Sequence, residues 1–499
     1  MSTRSRDGLT AWAFTAVPLV VLTTMLVSFD PRLRHWYVVP VTASGILVGV
    51  DAVRCLRGET DKFDPQALVG FFGVHFFYAA PLLHVVWDYW APYVAPPPDW
   101  RAALGIMAVL NTVGLMIYRV VLHQPTRVTP WSARQRQVDR SLFVLVGSVA
   151  IMISLGAFAL ILAKFGGFSG YLATMADRYN LTDRTRGLGW LVIIGESFPP
   201  LIFAVVVVRW REWLAAHPRW AYLLLTVLVV MQVAAGGARG ARSNTIWPVL
   251  LGLIMLHLVV VRVSRRALLT CLLVFGLFMY VGGLYKDAGA DMLGLFKGQR
   301  TTQDLEDETG RDLPTMVLAD LGRSDVQALA LHRQREGYAP SGNGITYLGD
   351  VAFLVPPRIL PAEARPPSKS VVGTDMLYGS GAWASGQRSS RIFGLTGEAI
   401  LNFGYLGGIA SFLVLGLAVR WMRRCYRRAQ QNQDLLPKLV TPALCVGLIL
   451  FHGSDLDNVT WYLAKQVLPL MLVLWLALRT RPQAPALTPL PPPDRLGVR

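Results

Sequence analysis

Two arginines, Arg239 and Arg242, stand among glycines and alanines in the stretch GGARGARSN, 236–244. Guanidinium forks match phosphate oxygens two at a time, and small neighbours let backbone N–H groups approach the same ligand. Asn244 stands where an apolar helix begins, and a helix start adds a positive dipole end. The pattern suits a pyrophosphate cradle, or a tight interhelical turn with snorkelling arginines. Farther along, Glu398 lies in RIFGLTGEAILNFGYLGG, and Asp455 and Asp457 crowd into FHGSDLDN, 451–458. These three are candidate proton acceptors. Lys465 follows inside an apolar segment, where an ionisable group is costly and is usually functional or paired. Glu398 therefore suits a general base, or a neutralising partner for Lys465. Glu196, just before Pro199-Pro200, poses the same question and suits a structural pairing.

Other cations widen the candidate set. Arg178, Arg184 and Arg186 lie in 164–187, a stretch too polar to span, whose Tyr171, Leu172, Met175 and Tyr179 suit it to lying on a membrane surface. Arg323 accompanies Asp320 and Asp325 on a helical-looking stretch, 313–336. Arg358 and Lys369 belong to FLVPPRILPAEARPPSKS, 353–370, whose prolines favour an extended path and forbid a regular helix. Lys286 and Arg391 complete the candidate substrate-binding cations. No further ligands cluster beside the Asp455-Leu456-Asp457 pair, and no P-loop glycine pattern is present, so neither a metal nor a cofactor is expected.

The elements that must position these residues are apolar. About twelve segments recur near 11–28, 36–52, 67–87, 102–122, 141–163, 188–208, 220–238, 244–261, 267–284, 394–419, 439–453 and 459–478. A bilayer core of ~30 Å needs ~20 apolar residues per helix, and only closed hydrogen-bonding elements cross it. The expected fold is an all-α polytopic membrane protein of about twelve transmembrane helices with one large loop. Its parts are helices one to nine in 1–284, the loop in 285–393, helices ten to twelve in 394–478, and a proline-rich tail in 479–499. Hydrophobic residues make up 53% of the chain and charged residues 16%, which argues against a disordered or nucleic-acid-binding protein despite a net charge of +17.

The positive charge follows the loops. Arg54, Arg57 and Lys62, then Arg127, Arg134, Arg136 and Arg140, then Arg209, Arg211 and Arg219, and Arg262, Arg265 and Arg266 mark alternate connections. The cluster Arg420, Arg423, Arg424, Arg427 and Arg428 is densest. The positive-inside rule puts these connections and both termini in the cytoplasm, and the 285–393 loop outside. The Arg420–Arg428 cluster is then a topology signal, compatible with anionic lipid head groups. Cys55 and Cys425 fall in the cytoplasm and Cys271 and Cys445 inside helices, so an outward-facing disulfide is not expected.

In their order along the chain, these features resemble the Wzy-type repeat-unit polymerases of bacterial surface polysaccharides. The resemblance covers about 165–478. It rests on GGFSGYL followed by Arg178, on Gly240-Ala241-Arg242-Ser243-Asn244, on Val355-Pro356-Pro357-Arg358 leading to Lys369, and on Gly397-Glu398 with Asn402-Phe403-Gly404 and Gly407. It departs from the family where Pro366-Pro367-Ser368-Lys369 replaces a clean Lys-Pro, and where GARGAR doubles the arginine. The resemblance implies a GT-C-related membrane glycosyltransferase of the bacterial inner membrane. Its substrates would be undecaprenyl-pyrophosphate-linked oligosaccharides, with membrane lipid, a chain-length regulator and a flippase as partners. Arg239 and Arg242 would stabilise the leaving pyrophosphate, and Glu398, with Asp455 or Asp457 behind it, would take the acceptor proton. An O-antigen ligase and a lipid-linked oligosaccharide flippase are the competing expectations.

Overall fold

The computed structural model describes residues 3–90, 94–124, 136–176, 188–237, 242–337, 342–356, 358–389, 391–431 and 433–480. Eleven helices among them are long and apolar enough to cross a membrane: Leu9–Phe29, Val38–Leu56, Pro65–Val86, Trp100–His123, Arg140–Lys164, Gly189–Arg209, Pro218–Ala235, Arg265–Tyr285, Gly394–Gln431, Leu435–Gly453 and Leu456–Leu476. A twelfth apolar helix, Ser243–Val259, is 17 residues long. All twelve apolar segments of the sequence are therefore helices, and the chain is an all-α polytopic membrane protein. The strands among the described residues are three residues long, Arg136–Val138 paired antiparallel with Leu478–Thr480.

Apolar composition keeps the helices in lipid, and polar residues set where they start. Asp64 accepts the Gln66 N–H, Asp99 that of Ala102, Asp139 that of Leu142, and Ser264 that of Ala267. Each satisfies a donor that the first helical turn leaves open.

Connections that share a charge signature meet in space. Lys62 Nζ donates to Val263 O at 2.5 Å, and Arg265 reaches Leu56 O at 3.2 Å. Asp61 accepts from Tyr426 Oη at 2.6 Å and pairs with His257 at 3.1 Å, while Arg423 pairs with Asp64 at 3.1 Å. The second, eighth and tenth connections thus lie on one face, as the alternating arginines require. All four cysteines are free thiols.

The other face carries the long polar segment, which is folded against the membrane helices rather than hung from them. Its helix Ser324–Arg335 buries Val326, Leu329 and Leu331 in one cluster with Leu104 and Met107 of the 100–123 helix. The helical-looking stretch 313–336 is divided: a wide turn at Thr315–Asp320 precedes the 324–335 helix. Gly322 sits at the division, where a Cβ would lie 2.4 Å from Leu318 O. Among the described residues of 353–368 the prolines hold helix to one short turn, Ala362–Ala364, and a helix resumes at Lys369–Tyr378.

Gly404 splits the long tenth helix. Its φ of 62° and ψ of −150° belong to a backbone region that glycine alone enters freely. The break makes 394–403 a separate half-helix. Its carbonyl end is satisfied by N–H groups of the long loop, Gly342 to Leu401 O and Asn343 to Asn402 O, both at 2.9 Å.

Gly404→Ala should cost about 1–3 kcal/mol and lower the melting temperature in detergent. Gly447→Ala, a helical position with nothing within 4 Å of the added methyl, should not. Equal melting curves for both variants would show that the break is not strained.

Candidate functional site

Prolines create the first polar cluster. Pro199 and Pro200 cannot donate backbone hydrogen bonds, so helix Gly189–Gly195 ends at Glu196 before Phe198–Arg209 begins. Pro469 likewise cannot donate to the Lys465 carbonyl, and the chain widens there into a π turn, Leu463–Val467. Ser197 Oγ donates to the freed Lys465 O at 2.9 Å. The two interruptions therefore meet, and the Lys465 ammonium is ion-paired with Glu196. Lys465 Nζ also donates to Asn244 Oδ1 at 3.1 Å. Asn244 and Lys465 border a narrow cleft between the start of the 243–259 helix and the last membrane helix. Asn244, Trp247, Asn458, Trp461, Lys465 and Gln466 line it. Trp461 stacks on Phe353 of the long loop, with ring centroids 4.6 Å apart.

Asp457 precedes the cleft residue Asn458 and belongs to the second cluster. Lys369 Nζ lies 2.7 Å from Asp455 Oδ2 and 3.7 Å from Asp457 Oδ2, and it donates to Arg391 O at 3.2 Å. Burial alone would lower the Lys369 pKa, but the two aspartates hold it above the ordinary lysine value. Asp455 Oδ1 accepts the N–H groups of Phe393 and Gly394, both at 2.8 Å, and so caps the half-helix. Glu398 accepts from Thr346 Oγ1 at 3.1 Å and from the Leu456 N–H at 2.8 Å. Asn402 donates to Thr346 Oγ1 at 2.6 Å. Asp350, on the same loop helix as Thr346, accepts the Lys369 N–H at 2.9 Å.

Arginines form the third cluster. Arg242 lies 2.9 Å from Asp320 and donates to Met279 O at 3.0 Å. Gly282 and Gly283 leave room for it, since a Cβ at either would come within 3.1 to 3.2 Å of the arginine side chain. Arg311 holds the other Asp320 oxygen at 3.0 Å. Arg323 donates to Gly453 O at 3.0 Å, to Asp320 O at 2.8 Å and to Gly322 O. Burial lowers its pKa to about 10. Arg391 is ion-paired with Asp325. The clusters are continuous, because Arg323 holds the carbonyl of Gly453, just before the Asp455–Asn458 turn.

Most of the candidate residues are thus brought together: Arg242, Asn244, Arg323, Arg391, Glu398, Asp455, Asp457 and Lys465. Arg178 and Arg239 lie outside the described residues, as does the side chain of Lys286. Arg358 is exposed and takes no part. The structural pairing expected for Glu196 is present: it neutralises Lys465, because the two sit at interruptions that face each other, and the alternative of Glu398 as that neutraliser falls. Two expectations need correction. Glu398 is 2% exposed, with both oxygens already accepting hydrogen bonds, so it organises the turn and is not open to a substrate hydroxyl. Asp455 is fully enclosed by Lys369 and two backbone donors. Asp457 keeps a 25% exposed side chain and is the accessible acid of the set. Asp350 and Thr346 were missed by the sequence reading, although their i, i+4 spacing places them on one helical face.

Comparison with protein-family models, with curated proteins and with solved structures finds no match for this chain.

Removing one partner of a buried ion pair typically costs about 3–5 kcal/mol. Lys465→Met should therefore strongly destabilise the protein, and Glu196→Gln combined with Lys465→Met should recover most of the loss. Glu398→Gln should give no recovery in the same background. Thermal melts of these three variants beside the wild type measure this, and recovery by Glu398→Gln would return Glu398 to the role of neutraliser.

Proposed function

We propose that this chain is a membrane glycosyltransferase that joins lipid-pyrophosphate-linked oligosaccharide units into a surface polysaccharide. The cleft beside Lys465 is the observation that carries the reading. It combines the Lys465 ammonium, paired with Glu196, with amide side chains and two tryptophans. A ligand with an anionic end and a flat, partly apolar body suits that lining. Trp247 and Trp461 offer ring faces to sugars, and Asn244, Asn458 and Gln466 offer hydrogen bonds to hydroxyls.

The reaction makes few demands on the protein. A sugar hydroxyl oxygen of one unit bonds to the anomeric carbon of the growing chain. The anomeric carbon–oxygen bond to pyrophosphate breaks, and its electron pair leaves with the lipid pyrophosphate. The hydroxyl proton goes to Asp457, the accessible carboxylate next to the cleft residue Asn458. Developing negative charge on pyrophosphate is met by Lys465 at the cleft wall and by Arg242, one residue before the cleft residue Ser243. In this reading Asp320 holds Arg242 in place. The long-loop face would be periplasmic and the termini cytoplasmic in a bacterial inner membrane, so lipid-linked units would reach the cleft from the outer leaflet. A flippase would supply them and a chain-length regulator would act on the product.

In cells whose polymer depends on this chain, Asp457→Asn should reduce polymerisation by roughly 10²–10⁴-fold. Arg242→Ala should remove on the order of 2–4 kcal/mol of transition-state stabilisation, and Arg242→Lys should rescue only in part because an ammonium makes no bidentate fork. Gel analysis of polymer length against single lipid-linked units is the measurement. Long polymer from well-expressed Asp457→Asn would sink the assignment. Loss of transfer to lipid A-core with normal polymer length would point to a ligase.

A further inference from the structure

Three enclosed carboxyl groups, Asp350, Glu398 and Asp455, crowd the region where the long loop meets the membrane helices, with the more open Asp457 at its edge. Lys369 is the ammonium among them, 3% exposed and aimed at Asp455 and Asp457. Arg391 gives the region only its carbonyl oxygen, since its guanidinium is taken by Asp325. Arg323 faces Asp455 but spends its N–H groups on carbonyls. Among the described residues, Tyr347 also faces Glu398. Lys369 therefore pairs closely with Asp455 and Asp457 and acts on Asp350 only at longer range, and among the described residues no cation forms an ion pair with Asp350 or Glu398.

The donors at those two carboxyls are accounted for. Glu398 accepts from Thr346 and from the Leu456 N–H. Asp350 Oδ1 accepts from the Lys369 N–H, while Oδ2 is buried with no donor beside it. Asp350 itself is 1% exposed, and its carboxyl lies against that of Glu398 within hydrogen-bonding reach. Two ionised carboxylates do not hold such a contact in an enclosed site, because like charges there repel strongly. A single proton between them turns the repulsion into a charge-assisted hydrogen bond. A metal cation would serve the same charge balance, but no metal-holding group of three or more such ligands occurs among the described residues.

We propose that Asp350 and Glu398 share one proton, and that this pair positions the Asp455–Asn458 turn, and with it Asp457 beside the cleft residue Asn458. The link is direct, because Glu398 Oε2 holds the Leu456 N–H, one residue before Asp457. The assignment of Asp457 rests on the glycosyltransferase reading above; the shared proton does not. Burial raises the Asp350 pKa above the ordinary aspartate value. A carboxyl raised on folding stabilises the fold below its unfolded-state pKa, and that contribution is lost as pH rises through the folded value. The clamp between loop and half-helix should therefore loosen on the alkaline side.

Infrared spectra of the full chain in nanodiscs, taken across pH, read the proton directly through the carbonyl stretch of a protonated carboxylic acid. Wild type near neutral pH should show this band. Glu398→Gln and Asp350→Asn should each remove it, since the proton belongs to the pair. No band in wild type, or a band that survives in both variants, overturns the proposal. Hydrogen exchange of the peptide 453–460 reads the positioning role. The Leu456 amide should exchange at least tenfold faster in Glu398→Gln, and wild-type exchange should accelerate beyond the intrinsic base-catalysed rate once the band is lost. Unchanged exchange through that titration would refute the positioning role. The wild-type measurements stand even if a variant fails to accumulate. An inactive glycosyltransferase assay with the band present would fault only the functional reading.

Discussion

An ammonium group enclosed by protein must have carboxylates beside it, and Lys369 has two. That requirement ties the long loop to the last membrane helices. Lys369 begins a loop helix, Asp455 and Asp457 lie in the turn between the last two membrane helices, and Asp455 also caps the half-helix at Gly394. Three separate parts of the chain therefore share one charge centre. Removing the ammonium would leave two acids in an enclosed space, which costs far more than an exposed ion pair returns. The geometry of the turn, and of the cleft beside it, depends on this contact.

Prolines do complementary work inside the membrane. Pro199, Pro200 and Pro469 each withhold a backbone donor, and the carbonyls and polar side chains so exposed find one another across two helices. Glu196, Ser197, Lys465 and Asn244 form the result. Each break would be costly alone in lipid. Placed face to face, they become a polar wall for a cleft.

The opposite face is held by a different set of charges. Asp61 and Asp64 gather His257, Tyr426 and Arg423 from two other helices. Nearby, Arg119 pairs with Asp51 at 2.7 Å while Gln66 donates to the same oxygen at 2.6 Å. Arginines that read in the sequence as a topology signal are in part structural, closing the helix bundle at the end remote from the cleft.

The membrane helices were legible from the sequence because a lipid solvent imposes a simple rule on composition, and each apolar segment became a helix. The alternation of basic connections agreed with which connections meet, since charge and side of the membrane are coupled. Residues at membrane depth such as Glu196 and Lys465 were recognisable as special for the same reason. Their partners were not, because pairing depends on which helix breaks face each other, and Lys465 had two acids to choose from. Glu398 and Asp457 look alike as acidic residues in polar turns. Only packing encloses the first with its donors and leaves the second open. The spacing of Asp350 from Thr346 shows only a shared helical face, and the meaning of Asp350 arises from Glu398 lying against it, 48 residues farther along the chain. Composition decided the architecture, and the long-range fit of loop against helices decided which polar groups are buried, paired or free to meet a ligand.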